Sequence, residues 1–306
     1  MMRDFLTITD VSEKELSRLL MLAVRCKANR RFGGSALKGK TVALVFQKPS
    51  MRTRVAFEVA VHQLGGAAIY LDQQDIQLGV REPINDVARA LSRYVDAIVV
   101  RTFAHADAEA FATSADCPVI NGLSDAVHPC QALADLLTIQ EAFGRLKGLR
   151  VAYIGDGNNV LHSLLHGCAM MGAHVTVATP PAYKPHDAMW KDAVARAKHH
   201  GAVIRWTSDP TEAATGAEVL YTDVWVSMGQ EKEREARLKV FRPYQINARL
   251  LKAAQPGCIV LHCLPAHRGE EITDDIMEHR QSRVFDQAEN RLHVQKALLM
   301  WLCGKG

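Results

Sequence analysis

The run Thr41-Val42-Ala43-Leu44-Val45-Phe46 passes directly into Gln47-Lys48-Pro49-Ser50-Met51-Arg52-Thr53-Arg54-Val55-Ala56-Phe57-Glu58, and the reading of this junction decides the fold. Thr41 to Phe46 is a short apolar strand. Ser50 is the N-cap of a helix that starts at about Met51 and stops at Gly65-Gly66. Lys48, Arg52 and Arg54 therefore crowd the positive end of a helix dipole, where acids are normally preferred. Free backbone amides, two hydroxyls and a guanidinium on one helix start suit an anion, and a phosphate needs no glycine-rich loop there. Residues two apart on a helix point about 200° apart, so Arg52 and Arg54 cannot both face that anion. Glu58 stands four residues after Arg54, the spacing of a helix-surface ion pair, which leaves Ser50, Arg52 and Thr53 as anion ligands. The alternative is a basic helix start that is simply solvated.

Strand-helix alternation continues on both sides. Upstream, Asp10 with Glu13 is the expected cap of a first helix, striped by Leu16, Leu19, Leu20 and Ala23 and ended by Gly33-Gly34. Downstream, Ala67 to Leu71, Ala97 to Val100 and Pro118 to Asn121 read as strands. Helical patterns over Ile84 to Tyr94 (after Pro83), Ala106 to Ser114 and Pro129 to about Phe143 separate or follow them. After a basic turn, Gly144 to Gly148, strands recur at Arg150 to Ile154, His174 to Ala178, Ala202 to Trp206, Glu218 to Thr222 and Cys258 to Leu261. The expected fold class is α/β: two open parallel-sheet α/β domains joined by interdomain helices. The expected boundaries are 1–145, 146–288 and 289–306, the last being a C-terminal helix (Asn290 to Leu302) that packs back on the first domain. The polar stretch Gln230 to Lys239, after Trp225 to Gly229, reads as a mobile loop beside a site.

Composition bounds the function. The chain has 306 residues, 48% hydrophobic and 23% charged, as in ordinary globular proteins, and its length favours two domains. A net charge of +4 without basic runs disfavours nucleic acid. No apolar stretch reaches the roughly 20 residues needed to span a membrane, and Met1 to Arg31 reads as a polar start plus an amphipathic helix, so the cytoplasm is the expected location. Seven widely spaced cysteines without a CxxC pair read as reduced thiols.

Four further constellations could carry chemistry. His128-Pro129-Cys130-Gln131 puts two hydrogen-bond donors, His128 and Gln131, at a proline-started helix, although a histidine there can equally be a cap. A zinc reading of His128, Cys130, His262 and Cys263 fails on spacing, so no metal is expected. Gly155-Asp156-Gly157-Asn158-Asn159-Val160 resembles a dinucleotide fingerprint. Its third glycine is Val160, however, and the next strand ends without a ribose-binding acid, so a tight turn offering amide side chains fits better. Asp223 in Asp223-Val224-Trp225-Val226-Ser227-Met228-Gly229 is a natural partner for an amine. Cys263, at a strand's C-terminal end in His262-Cys263-Leu264-Pro265, takes a non-covalent role or is a buried structural thiol.

In this order, these segments resemble the ornithine carbamoyltransferases of the aspartate/ornithine carbamoyltransferase superfamily, over essentially the whole chain. Ser-x-Arg-Thr-Arg (50–54), Arg101, His-Pro-Cys-Gln (128–131), Asp-x-x-x-Ser-Met-Gly (223–229), His-Cys-Leu-Pro (262–265) and Glu-Asn-Arg (289–291) carry the resemblance. It implies a carbamoyl-phosphate domain and an ornithine domain, assembled as a homotrimer or a multiple of trimers, with no metal or organic cofactor. It further implies that Ser50, Met51, Arg52, Thr53, Gln77, Arg101, His128, Gln131, Cys263, Leu264 and Arg291 bind carbamoyl phosphate. Met51 departs from the threonine of many members, which puts only a side-chain role in doubt. Asn159, Asp223, Ser227 and Met228 match ornithine positions. Arg101, His128, Gln131, Asp223 and Cys263 are the implied catalytic group. The implied reaction gives citrulline and phosphate in arginine biosynthesis or degradation. Rivals are a carbamoyltransferase for another amine, a nucleotide-binding module and a silent paralogue.

Overall fold

A computed structural model describes residues 4–227 and 229–304. The chain divides into two compact units, one formed by Met1–Leu137 with Glu289–Gly306 and the other by Thr138–Ala288. Two helices, Pro129–Phe143 and Val284–Cys303, carry the chain from one unit to the other and back.

The first unit holds strands β1 (Thr41–Phe46), β2 (Ala67–Asp72), β3 (Ala97–Arg101) and β4 (Val119–Leu123) in the order β2-β1-β3-β4, all parallel. Central β3 is buried at every position, the signature of a strand covered on both faces. One face packs Ala43, Val45, Ile98 and Val100 against Val87, Ala88, Ala108 and Phe111 of flanking helices. The backbone of Phe5 adds to the edge beyond β4, its N–H donating to Val119 O at 2.9 Å. The second unit holds β5 (Arg150–Ile154), β6 (His174–Ala178), β7 (Ile204–Thr207), β8 (Val219–Thr222) and β9 (Ile259–His262). Their order is β7-β6-β5-β8-β9, again all parallel. This is the expected fold class.

Several local expectations need correction. The first helix is Glu13–Ala28 and its cap is Ser12, which forms a reciprocal box with Glu15. The Asp10 carboxylate is already engaged upstream, accepting from the N–H groups of Leu6 (2.6 Å) and Thr7 (2.8 Å). That helix also stops well before Gly33-Gly34. The helix that follows Pro83 is Ile84–Leu91 and stops short of Tyr94, and the last begins at Val284 rather than Asn290. Gln230 to Lys239 is not an open loop. Residues Arg234–Phe241 are helical, with Arg237 and Phe241, one turn apart, buried on the same side. No helix among the described residues is long and apolar enough to cross a membrane.

Candidate active site

Open parallel sheets bind ligands beyond the carboxyl ends of strands where the strand order reverses. In the first unit that point lies between β1 and β3. Ser50 caps the helix Met51–Gln63, accepting from the Thr53 N–H at 3.3 Å. Its Oγ also lies 3.0 Å from Thr53 Oγ1. Thr53 Oγ1 accepts from Arg291 Nη2 at 2.6 Å, and Arg291 Nη1 donates to Gln131 Oε1 at 3.2 Å. The Gln131 Nε2 donates to Asp135 Oδ1 at 2.9 Å, so both ends of this amide are oriented. Arg101 ends β3 opposite Phe46 of β1, and it is buried with His128, Gln131, Thr53 and Arg291.

Burial, reinforced by the charges of Arg291 and Arg101, holds the His128 imidazole well below its usual 6.5. It is neutral at pH 7 and can donate one N–H. Lys48 is buried too. Burial lowers its ammonium's pKa, Arg101's charge lowers it further and Asp125 opposes this, while Nζ lies 4.7 Å from the centre of the Phe103 ring. Arg54 turns outward, as its spacing predicts. Its Nε donates to Glu58 Oε1 at 2.9 Å, and its guanidinium lies over Tyr70 at 3.7 Å. Arg52 is half-buried at the helix start, whereas the Met51 side chain is 68% exposed. Gln77 lies on a separate element of the first unit. It is exposed in a left-handed conformation (φ 46°) at the end of the one-turn helix Gln73–Ile76.

In the second unit the strand order reverses between β5 and β8. Asn158, Asp223 and Cys263 follow the ends of β5, β8 and β9, three strands that lie side by side. Asn158 Nδ2 donates to Asp223 Oδ2 at 2.6 Å, and Cys263 Sγ donates to Asp223 Oδ1 at 2.8 Å, where the Val224 N–H also donates at 2.8 Å. A nearly buried carboxylate is thus fixed by three neutral donors. Asn159 begins the helix Asn159–Met170 beside this group. Ser227 follows at the end of the segment, its N–H donating to Gln230 Oε1 at 3.0 Å. Met228 lies outside the described residues. No disulfide involves any of the cysteines among the described residues.

His262, a ring nitrogen of which lies within 4.8 Å of Cys263 Sγ and of an Asp223 oxygen, accepts at Nδ1 from the Leu264 N–H (2.9 Å) and donates from Nε2 to Glu271 Oε1 (2.9 Å). This network assigns its tautomer. Leu264 adopts φ 58° and precedes a cis Pro265. The second glycine of the fingerprint-like turn serves the fold. A Cβ on Gly157 would meet backbone atoms of Lys184 and Pro185 at 2.4 Å, so the space near it is filled by the chain itself.

Four partners were missed from sequence. Asn158 caps its helix by accepting from the N–H groups of Val160 and Leu161, and an Asn directly before an apolar helix is a readable signal. Asp156 pairs with buried Arg237 at 2.5 Å, and Arg237 Nε also donates to Trp225 O at 2.6 Å. Burial raises the Asp156 pKa to about 6, Arg237 opposes that rise, and Asp223's charge adds to it. Asp135 behind Gln131 and Glu271 behind His262 complete the four. Nothing in their spacing singles them out as supports.

A family model for the aspartate/ornithine carbamoyltransferase carbamoyl-P binding domain matches residues 3–141, and one for the Asp/Orn binding domain matches residues 147–302. Ornithine carbamoyltransferase of Bacillus subtilis is 53% identical, covering 99% of this chain and 95% of its own. The structure of ornithine carbamoyltransferase from Pyrococcus furiosus superposes with a TM-score of 0.94 at 52% identity, covering 97% of this chain and 96% of its own. That of an acetylornithine transcarbamylase complexed with acetylcitrulline superposes at 0.90 with 34% identity, covering 99% of both chains.

Proposed function

The chain belongs to the aspartate/ornithine carbamoyltransferase family, and on that premise we propose that it transfers the carbamoyl group of carbamoyl phosphate to the side-chain amine of L-ornithine. The products are L-citrulline and phosphate, formed in arginine biosynthesis or degradation. The observation that carries the choice of acceptor is the Asp223 carboxylate, held by Asn158 and Cys263 at a strand-order reversal with Asp156 nearby. The Asp223 carboxylate attracts an ammonium and repels an aspartate.

Ser50, Arg52, Thr53 and the helix start hold the phosphate, with Arg291 bridging to Gln131. Met51 contributes through its backbone and Gln77 is a further ligand. Arg101, His128 and Gln131 polarise the carbamoyl oxygen and stabilise the oxyanion of the tetrahedral intermediate. The ornithine amine has an intrinsic pKa near the lysine reference of about 10.4, so it must lose a proton before it attacks. Asp223 and Cys263 orient it, with Asn159, Ser227 and Met228 holding the rest of the amino acid and Leu264 lying near the carbamoyl group. The ammonium's proton passes to solvent, the new C–N bond forms, the C–O bond to phosphate breaks, and the departing phosphate takes the second proton, which nitrogen sheds from the tetrahedral intermediate. Residues 1–145 with 289–306 serve carbamoyl phosphate, residues 146–288 serve ornithine, and the chain works in the cytoplasm as a homotrimer or a multiple of it.

The test is citrulline formation by the purified protein. A parallel panel of L-ornithine, N-acetylornithine, putrescine and L-aspartate should give product with ornithine far above the others. No product with ornithine, or a preference for another acceptor, overturns the proposal.

A further inference from the structure

Beyond Cys263 the chain builds a second polar cluster that the transfer reaction does not use. Glu271 is fully buried, and its two oxygens are treated unequally. Oε1 accepts from His262 Nε2 at 2.9 Å and from the His267 N–H at 2.5 Å, while buried Oε2 has no hydrogen-bond partner. Both donors to Oε1 are neutral, because His262 Nδ1 is occupied as an acceptor. Two other buried atoms without hydrogen-bond partners converge on that oxygen, His267 Nδ1 at 3.9 Å and Glu270 Oε2, itself 3.8 Å from the same nitrogen. The three ligand atoms all lie within 4.8 Å of one another. Glu270 Oε1 is held by Arg234, which orients the carboxylate and leaves Oε2 available.

Two carboxylate oxygens facing each other repel unless a cation lies between them. A protonated His267 would hold both carboxylates as ion pairs at 3.8 and 3.9 Å, beyond hydrogen-bonding reach, whereas a shared ion bonds all three atoms. Metal–ligand bonds of about 2.0–2.2 Å allow donor atoms up to about 4.2 Å apart, so both nitrogen–oxygen separations already fit. One imidazole and two carboxylates are a zinc-type donor set, less suited to magnesium or calcium. The His267 side chain is 42% exposed, which provides an entry path and a position for a water ligand.

We infer that His267, Glu270 and Glu271 form a binding site for a divalent transition-metal ion of the zinc class, separate from the residues that carry the transfer reaction. An ion there ties residues 267–271, which follow the His-Cys-Leu-Pro turn, to the Arg234–Phe241 helix through the Arg234–Glu270 pair.

The probes are Zn2+ and Co2+ added to the chelator-treated full chain. Zn2+ affinity is measured by competition with a chromogenic chelator, and Co2+ by visible absorption. The expected result is one equivalent bound, a rise in the thermal midpoint with zinc, and no competition from equimolar Mg2+. His267→Gln and Glu270→Gln should each weaken Zn2+ tenfold or more, whereas Cys263→Ser leaves it unchanged. Both weakening substitutions are at partly exposed side chains, so folding is checked independently by circular dichroism. Unchanged affinity in His267→Gln and Glu270→Gln overturns the inference. So does a near-ultraviolet thiolate band with Co2+ that disappears in Cys263→Ser, because it puts the ion on the neighbouring Asp223, His262 and Cys263 group. A wild-type chain that binds neither ion also overturns it.

Discussion

Asp223→Asn keeps the shape of the acceptor-side carboxylate and removes its charge. The wild-type Oδ1 accepts from the Val224 N–H and Cys263 Sγ, and Oδ2 accepts from Asn158 Nδ2. An asparagine has one acceptor oxygen, so one of these faces must set N–H against N–H, at about 1–3 kcal/mol. The bond to the incoming amine also falls from charge-assisted, about 1.5–3 kcal/mol, to neutral, about 0.5–1.5 kcal/mol. About 2–4 kcal/mol of transition-state stabilisation is lost, a fall of roughly 30- to 1,000-fold in kcat/KM for ornithine. The affinity for carbamoyl phosphate, carried by other residues, should change by no more than about twofold. Stability provides an independent signature. The Asp156 carboxyl titrates at about 6 in the fold against a usual 3.8, so the folded protein binds the extra proton and loses stability as pH rises through that interval. Burial is the main cause and Asp223's charge a lesser one, so the variant should lose less. Urea unfolding from pH 4 to pH 8 should show the gap between variant and wild type moving in the variant's favour. A gap moving the other way, or carbamoyl-phosphate binding weakened as much as ornithine use, refutes the reasoning.

Arg52→Ala should abolish most activity, whereas Arg54→Ala, which removes an exposed pair with Glu58, should leave kcat/KM nearly intact. Equal losses at equal stability, by steady-state kinetics and thermal melting, reject that division. Arg237→Met strands a buried carboxylate, and should destabilise by about 3–5 kcal/mol in urea at pH 7.5. Adding Asp156→Asn should recover part of this, and a strictly additive double variant refutes the pairing as the cause. His128, neutral in the fold, favours folding fully above about pH 6.5, and that contribution fades as pH falls through the interval towards its lowered folded value. In urea titrations the stability of His128→Gln should therefore fall less steeply than wild type below that pH; parallel profiles exclude the assignment.

The alternation was readable because these strands are buried on both faces. Thr41–Phe46 and Arg150–Ile154 are uninterrupted apolar or small runs apart from their first residues, and both were bounded correctly. Ser50 was readable because capping is local. The misreadings have a common cause in competition between similar signals. Ser12 takes the first cap because Asp10 is committed to Leu6 and Thr7. Arg234–Phe241 looks like a solvated loop because most of its residues are polar, and its buried face holds an arginine. That arginine makes sense only with Asp156, distant in sequence, as its partner. The same limit hid Asp135 and Glu271: a support that acts through tertiary contact leaves no spacing pattern.

The two strand-order reversals carry opposite charge, and the chemistry requires that difference. Lys48, Arg52, Arg101 and Arg291 gather in the first unit with a neutral His128, whereas Asp156 and Asp223 stand at the β5–β8 reversal of the second. A cationic cluster around a neutral imidazole stabilises charge that grows on phosphate and on the carbamoyl oxygen, and it keeps that imidazole from becoming a fixed positive charge. A carboxylate held by neutral donors attracts the ammonium and orients it. The proton that nitrogen sheds after attack is left for the phosphate, whose basicity grows as the C–O bond breaks. On this division Asp223 acts by attraction and orientation, and a stronger base in its place adds nothing to the step in which the phosphate takes the proton.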